Sequence, residues 1–202
     1  MEHVAAQRNV GKAAAKQAFQ DTKARTAKPQ SRGQASLGVW QKKLSSIEAG
    51  AATRGLSMPK SQLVFRMNPL QRHEVVSDGV PAAAVADIAG KLGTTSEKLN
   101  RVLGLGSSTV ARKVSEGKNL DLNDGERILQ MYHLQGLVHE IAQDFIMPEQ
   151  RKDFDADKWL GEWLEIPQPS LNNRKPSEFL HTDVGMQIVE TLLKRIAVGA
   201  FA

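Results

Sequence analysis

No cysteine occurs in this 202-residue chain, so disulfides, thiolate metal sites and cysteine nucleophiles are excluded. No apolar run approaches the roughly 18 residues needed to span a bilayer. The N-terminus, MEHVAAQRNVGKAAAK, lacks the apolar centre of a secretory signal. A cytoplasmic protein that does not enter membranes is the expectation. No stretch alternates apolar and polar residues as a half-buried strand does, so the expected fold class is all-α.

Catalytic patterns are missing as well. Of the five histidines, His133 and His139 are six apart and point to different sides of one helix, while His3, His73 and His181 are scattered. No His-Glu-x-x-His pattern occurs, so surface or capping histidines are expected rather than ligands. The segment Ala6 to Lys12 has alanine where a phosphate-binding loop begins with glycine, and Ala13 where a magnesium-binding hydroxyl belongs. Gly104-Leu105-Gly106 lacks the third glycine of a dinucleotide fingerprint. Asp153, Asp155 and Asp157 look like helix caps. The expectation is no enzyme, no cofactor and no metal.

What is present begins with charge. The chain can bury one sizeable core or two small ones, with a tail to spare. Its net charge of +5 is unevenly spread. Residues 1–60 balance at +8, residues 61–78 at zero, residues 79–120 at +3 and residues 121–202 at −6. Basic leading parts suit a polyanion, and an acidic trailing part suits a basic protein surface.

Residues 1–34 are rich in Ala, Lys, Gln, Thr and Arg, with Phe19 nearly the only large apolar side chain. This reads as a basic arm able to make non-specific phosphate contacts. Leu37, Trp40, Leu44 and Ile47 then form a narrow seam on a helix near 36–48. The seam fits packing against its own domain; a second subunit is the alternative.

The stretch Thr94–Glu116 reads as two short helices joined by a tight turn. Leu99, Val102 and Leu103 share a face of the first helix, Gly104 stops it and Leu105 tucks between the pair. Ser107 or Ser108 can cap the second helix. Val110 and Val114 are expected inward there, leaving Ser108, Thr109, Arg112 and Lys113 outward. This pattern is a helix-turn-helix whose second helix enters a major groove, with Ser107, Ser108, Thr109, Arg112 and Lys113 as the DNA-binding residues. An ordinary helical hairpin with a solvated basic face is the competing reading.

Around this motif, Val80–Leu92 reads as a bracing helix. Asn123 with Glu126 reads as a capping box for a long helix whose inward stripe is Ile128, Met131, Tyr132, Gln135, Val138, Ile141, Ala142 and Phe145. Asp155 or Asp157 can cap a helix carrying Trp159, Leu160, Trp163 and Leu164. Thr182 can cap a last helix with Val184, Ile188, Val189, Leu192, Leu193 and Ile196 inward, closed by Gly199.

Taken alone, Trp159 and Trp163 read as core. Their setting adds more: Trp163-Leu164 precedes Pro167 and Pro169, then Leu171, then Lys175-Pro176 with Phe179-Leu180, then Thr182, Gly185 and an apolar helix to Gly199. This order resembles the C-terminal domain of the MbcA/ParS/Xre antitoxin family, and with the upstream helix-turn-helix the resemblance covers roughly residues 64–202. Asn172-Asn173-Arg174 stands where many relatives have glycine. The resemblance implies an antitoxin of a RES-domain toxin that depletes NAD, one that covers the toxin's active site and represses its own operon at operator DNA. It implies toxin-binding residues Trp159, Trp163, Leu171, Pro176, Phe179 and Leu180. Gly199, Phe201 and Ala202 join them as a terminal tail: Phe201 either plugs a nucleotide pocket or folds back onto Leu192 or Ile196. The division expected is a basic extension at 1–60, a helix-turn-helix domain at 61–147 and a toxin-binding domain at 148–202. A homodimer is expected, since such repressors read two half-sites about one helical turn apart. A stand-alone regulator without a toxin is the alternative.

Overall fold

The computed structural model describes residues 40–46 and 58–199. The basic arm, Leu37, Ile47, Phe201 and Ala202 lie outside the described residues. After a short helical segment at 40–46 come α1 (Lys60–Arg66), α2 (Pro69–Asp78), α3 (Ala84–Lys91), α4 (Ser96–Leu103), α5 (Ser107–Ser115) and α6 (Leu122–Phe145). Then follow α7 (Pro148–Arg151), α8 (Ala156–Trp163), 3-10 turns at Pro169–Leu171 and Pro176–Phe179, and α9 (Asp183–Gly199). The fold is helical. The β-type pairings are two isolated bridges, Pro81 with Asn119 and Gln168 with Arg174, among the described residues.

Several helix starts follow local chemistry. Asn68 and Gln71 form a reciprocal capping box at α2, each side-chain oxygen accepting from the other's backbone N–H at 2.9 and 3.0 Å. Thr95 Oγ1 accepts from the Lys98 N–H at 3.2 Å, Asp155 Oδ1 from Lys158 at 3.0 Å and Thr182 Oγ1 from Gly185 at 3.1 Å. Two expected starts move. The bracing helix begins at Ala84 because Val80 and Ala82 are committed elsewhere: Ala82 N–H donates to the Lys118 carbonyl at 3.1 Å, and Leu120 N–H to that of Val80 at 2.8 Å. The long helix begins at Leu122 after Asp121, and the Asn123–Glu126 box does not form.

α6 is the axis of the molecule. Gly125, Ile128, Leu129, Met131, Tyr132, Leu134, Gln135, Gly136, Leu137, Val138 and Ala142 are all buried, which covers every side of the helix rather than one stripe. Helices α1, α2, α3, α8 and α9 pack around it. Phe145, expected inward, is 42% exposed at the end of α6.

Trp40 and Leu44 are buried in the same core, so the described part of the early seam packs on its own chain. Lys43 pairs there with Asp78 and Glu74 of α2.

Polar groups fasten α6 to both flanks. Tyr132 Oη donates to Asp87 Oδ2 at 2.8 Å. Burial raises the Asp87 carboxyl, but this hydroxyl with Lys91 and Lys60 outweighs it and holds the group below its ordinary value. Toward the C-terminal side, fully buried Gln135 donates from Nε2 to Asp157 Oδ1 at 2.8 Å, and His139 Nε2 meets Asp157 Oδ2 at 3.1 Å. Asp155 caps α8 as expected; Asp157 ties α8 to α6 instead.

Candidate functional site

The turn between α4 and α5 is set by Gly104 at φ +67°. Its N–H donates to the Arg101 carbonyl at 3.2 Å, and the Leu105 N–H reaches back to that of Asn100 at 2.8 Å. This closure requires the left-handed conformation that glycine adopts without strain. Leu105 is buried under the turn, and α5 starts at Ser107 with Gly106 in the cap position. Neither Ser107 nor Ser108 is the cap. The first-turn N–H groups of α5 therefore have no side-chain acceptor from the cap residue.

Along α5, Val110 is buried; Ser107, Ser108, Ala111, Arg112 and Ser115 are exposed, and Thr109 is half-buried. The next two residues reverse the expected pattern. Lys113 is turned inward with 8% of its surface exposed, and Val114 is outward with 44% exposed. Once Val110 faces the core, positions 113 and 114 lie on either side of the inward line. Asp121 decides between them: its Oδ1 is 2.6 Å from Lys113 Nζ, so the ammonium gains a partner while its stem packs. Lys113 is thus removed from the outward set.

The outward cations are tethered. Glu116 lies 3.3 Å from Arg112 and 2.7 Å from Lys118. The Lys118 hydrogen bond, helped by Arg112, holds the Glu116 carboxyl below its ordinary value.

In the C-terminal part, the indoles of Trp159 and Trp163 stack with centroids 6.0 Å apart and planes 14° apart. Trp163, Leu171, Pro176 and Leu180 are buried, while Trp159 and Phe179 are half-buried. The Arg174 guanidinium lies over the Phe179 ring, 4.6 Å from its centroid. Trp163 and Leu180 thus pack in the core with Leu160, Leu164, Val189 and Leu193. Asn172 and Asn173 are both left-handed, at φ 55° and 58°. Asparagine is the side-chain-bearing residue that tolerates this conformation best.

Other residues project. Val184 is 67% exposed and Ile188 39%, and Ile166 is also exposed. Val184 and Ile188, both expected inward, line an open groove of about 360 Å³ with Leu171, Thr191, Leu192 and Arg195. The α9 core seam is already complete with Met186, Val189, Leu193 and Ala197. The signal for this outward face was present in the sequence: α9 carries more apolar residues than one buried stripe can use.

The C-terminal part rests directly on the helix-turn-helix. A Cβ at Gly161 of α8 would collide with the Leu92 carbonyl at the end of α3. Glu165 bridges Lys98 of α4 and Lys175, each at 3.1 Å. Among the described residues no group of three or more histidine and carboxylate side chains could hold a metal, and no helix is long and apolar enough to cross a membrane.

The architecture defines a class, a helix-turn-helix protein with an appended small helical domain. The family model described as Antitoxin Xre-like helix-turn-helix domain matches residues 71–131, and that described as Antitoxin Xre/MbcA/ParS C-terminal toxin-binding domain matches residues 154–199. The chain belongs to the Xre/MbcA/ParS antitoxin family. It is 29% identical over 162 residues to a protein of Sphingobium sp. (strain YBL2) named Prs ADP-ribosylating antitoxin, a match spanning 79% of this chain and all of the relative.

Proposed function

We propose that this antitoxin neutralises a RES-type, NAD-consuming toxin by laying its C-terminal domain over the toxin's active site, and represses its own operon through α5. It acts by binding rather than by catalysis and needs no cofactor. Two half-sites in the operator call for at least a homodimer.

The observation that carries the toxin reading is the outward apolar face of α9, which lies within the segment matched as a toxin-binding domain. Val184 and Ile188 occupy a helix that does not need them for its own core, and an exposed apolar face on a finished domain is a surface for a protein. The name of the Sphingobium relative ties that protein to ADP-ribosylation. ADP-ribosyl transfer draws on NAD, which supports a partner of the same chemistry here. Phe201, just beyond α9, is a second candidate contact in this reading.

Co-expression with the product of the adjacent gene tests the proposal. The expected result is co-purification of a RES-domain protein and loss of its NAD consumption, with Val184→Asp plus Ile188→Asp abolishing both. A neighbour that is not captured, beside an operator fragment that is, would leave a stand-alone regulator.

A further inference from the structure

We propose that Lys113 is a positioning residue for the DNA-binding surface, acting through Asp121 and making no DNA contact of its own. This deepens, and rests on, the operator-binding reading above.

Lys113 sits in the last turns of α5, a helix whose other polar and charged side chains project outward or lie at its edge. Its Nζ is 2.6 Å from Asp121 Oδ1. The lysine side chain is 10% exposed and the aspartate 75%, so the ammonium has been drawn in to meet a carboxylate that remains at the surface. Asp121 occupies the cap position of α6 but makes no side-chain cap there. Its carboxylate serves the ion pair instead.

The backbone between the two residues closes the same loop. The Lys118 N–H donates to the Lys113 carbonyl at 2.8 Å, and the Gly117 N–H to that of Val114 at 3.1 Å. Leu120 then pairs with Val80. The end of α5 is thereby pinned to the start of α6, the central helix, by one ion pair and a tight return of the chain. A rotation of α5 about its axis would break the pair. The pair therefore sets which face of α5 carries Ser108 and Arg112 outward. For Lys113 to reach a phosphate it would have to leave its pocket and abandon Asp121.

Direct contact and positioning make opposite forecasts for Asp121. A carboxylate beside DNA repels phosphate, so removing it should tighten binding if Lys113 is a phosphate ligand. If the pair positions α5, removing either partner weakens binding.

The test uses the full chain and a duplex from the region upstream of its own gene, with affinity measured by fluorescence anisotropy across a salt series. Lys113→Met and Asp121→Asn are each expected to lower affinity about tenfold, and the double variant no further, because they break one interaction. Lys113→Arg should restore most of the affinity. The slope of affinity against salt should stay that of the wild type, since no phosphate contact is lost. Asp121→Asn alters an exposed side chain and keeps the experiment readable should Lys113→Met fold poorly. A salt slope reduced by about one in Lys113→Met, with tighter binding by Asp121→Asn, would overturn the proposal in favour of a direct contact. Wild-type affinity in both single variants would overturn it too. Failure of the wild type itself to bind the duplex would instead sink the operator reading.

Discussion

Helices α5 and α9 use the same device with opposite chemistry. Each buries a seam against the body of the molecule and presents a second face outward. On α5 that face is Ser108, Arg112 and Ser115, with Lys118 close by; on α9 it is Val184, Ile188, Thr191 and Arg195. Hydroxyls and cations suit phosphate and base edges, whereas exposed branched aliphatics gain from being covered by protein. In the proposed function, the outward residues thus set the class of partner. Between the two helices in sequence, Trp163, Leu164, Pro176 and Leu180 are buried instead.

That contrast can be broken most forcefully at the scaffold. Leu180→Ala empties a fully buried site and should cost about 2–5 kcal/mol of stability, read from a denaturant midpoint. Ile188→Asp, on the outward face of α9, should leave that midpoint within about 0.5 kcal/mol of wild type while capture of the toxin falls at least about tenfold. Equal destabilisation by both would erase the distinction between scaffold and face.

On α5 the expected effects are smaller. Arg112→Ala should cost about 1–3 kcal/mol at one operator position if the guanidinium reads a base, and should weaken all sequences alike if it meets phosphate. Competition with mutated duplexes at fixed salt separates these. Glu116→Gln releases Arg112 and Lys118 from their shared carboxylate. Non-specific DNA should then bind about two- to fivefold more tightly with a steeper salt dependence; unchanged affinity would mean that these cations do not face DNA.

The smallest effect concerns acid. Burial pushes the His133 imidazole below its ordinary value of 6.5, with Glu190 pulling upward and Arg72 and Lys194 downward. The unfolded chain thus takes up this proton at a higher pH than the folded one does. The contribution of His133 to stability is present above pH 6.5 and is lost as pH falls through the depressed value. Melting temperatures of His133→Gln between about pH 7.5 and pH 5 should accordingly decline less than those of the wild type.

Much of this was legible in the order of residues. Asp155 and Thr182 cap helices where a carboxylate or hydroxyl stands just ahead of helical sequence, and Gly104 makes its turn, because capping and left-handed closure act within a few residues. The all-α class and the family order were equally plain. Other outcomes depended on groups far apart in sequence. Helical spacing says that Val110, Lys113 and Val114 lie near one face, but not which neighbour waits there. Asp121, arriving after a turn, drew Lys113 in and left Val114 outside. The same carboxylate, engaged by Lys113, makes no side-chain cap at the start of α6. Apolar periodicity marked α6 as having one inward stripe, yet five helices enclose it on all sides. It also marked Val184 and Ile188 as core, yet Met186, Val189 and Leu193 had already filled that role. The sequence by itself determined the helical class, the Gly104 turn and the caps at Asp155 and Thr182, through contacts a few residues long. Only the tertiary structure decided which face of each helix is covered, because burial depends on what the rest of the chain brings alongside.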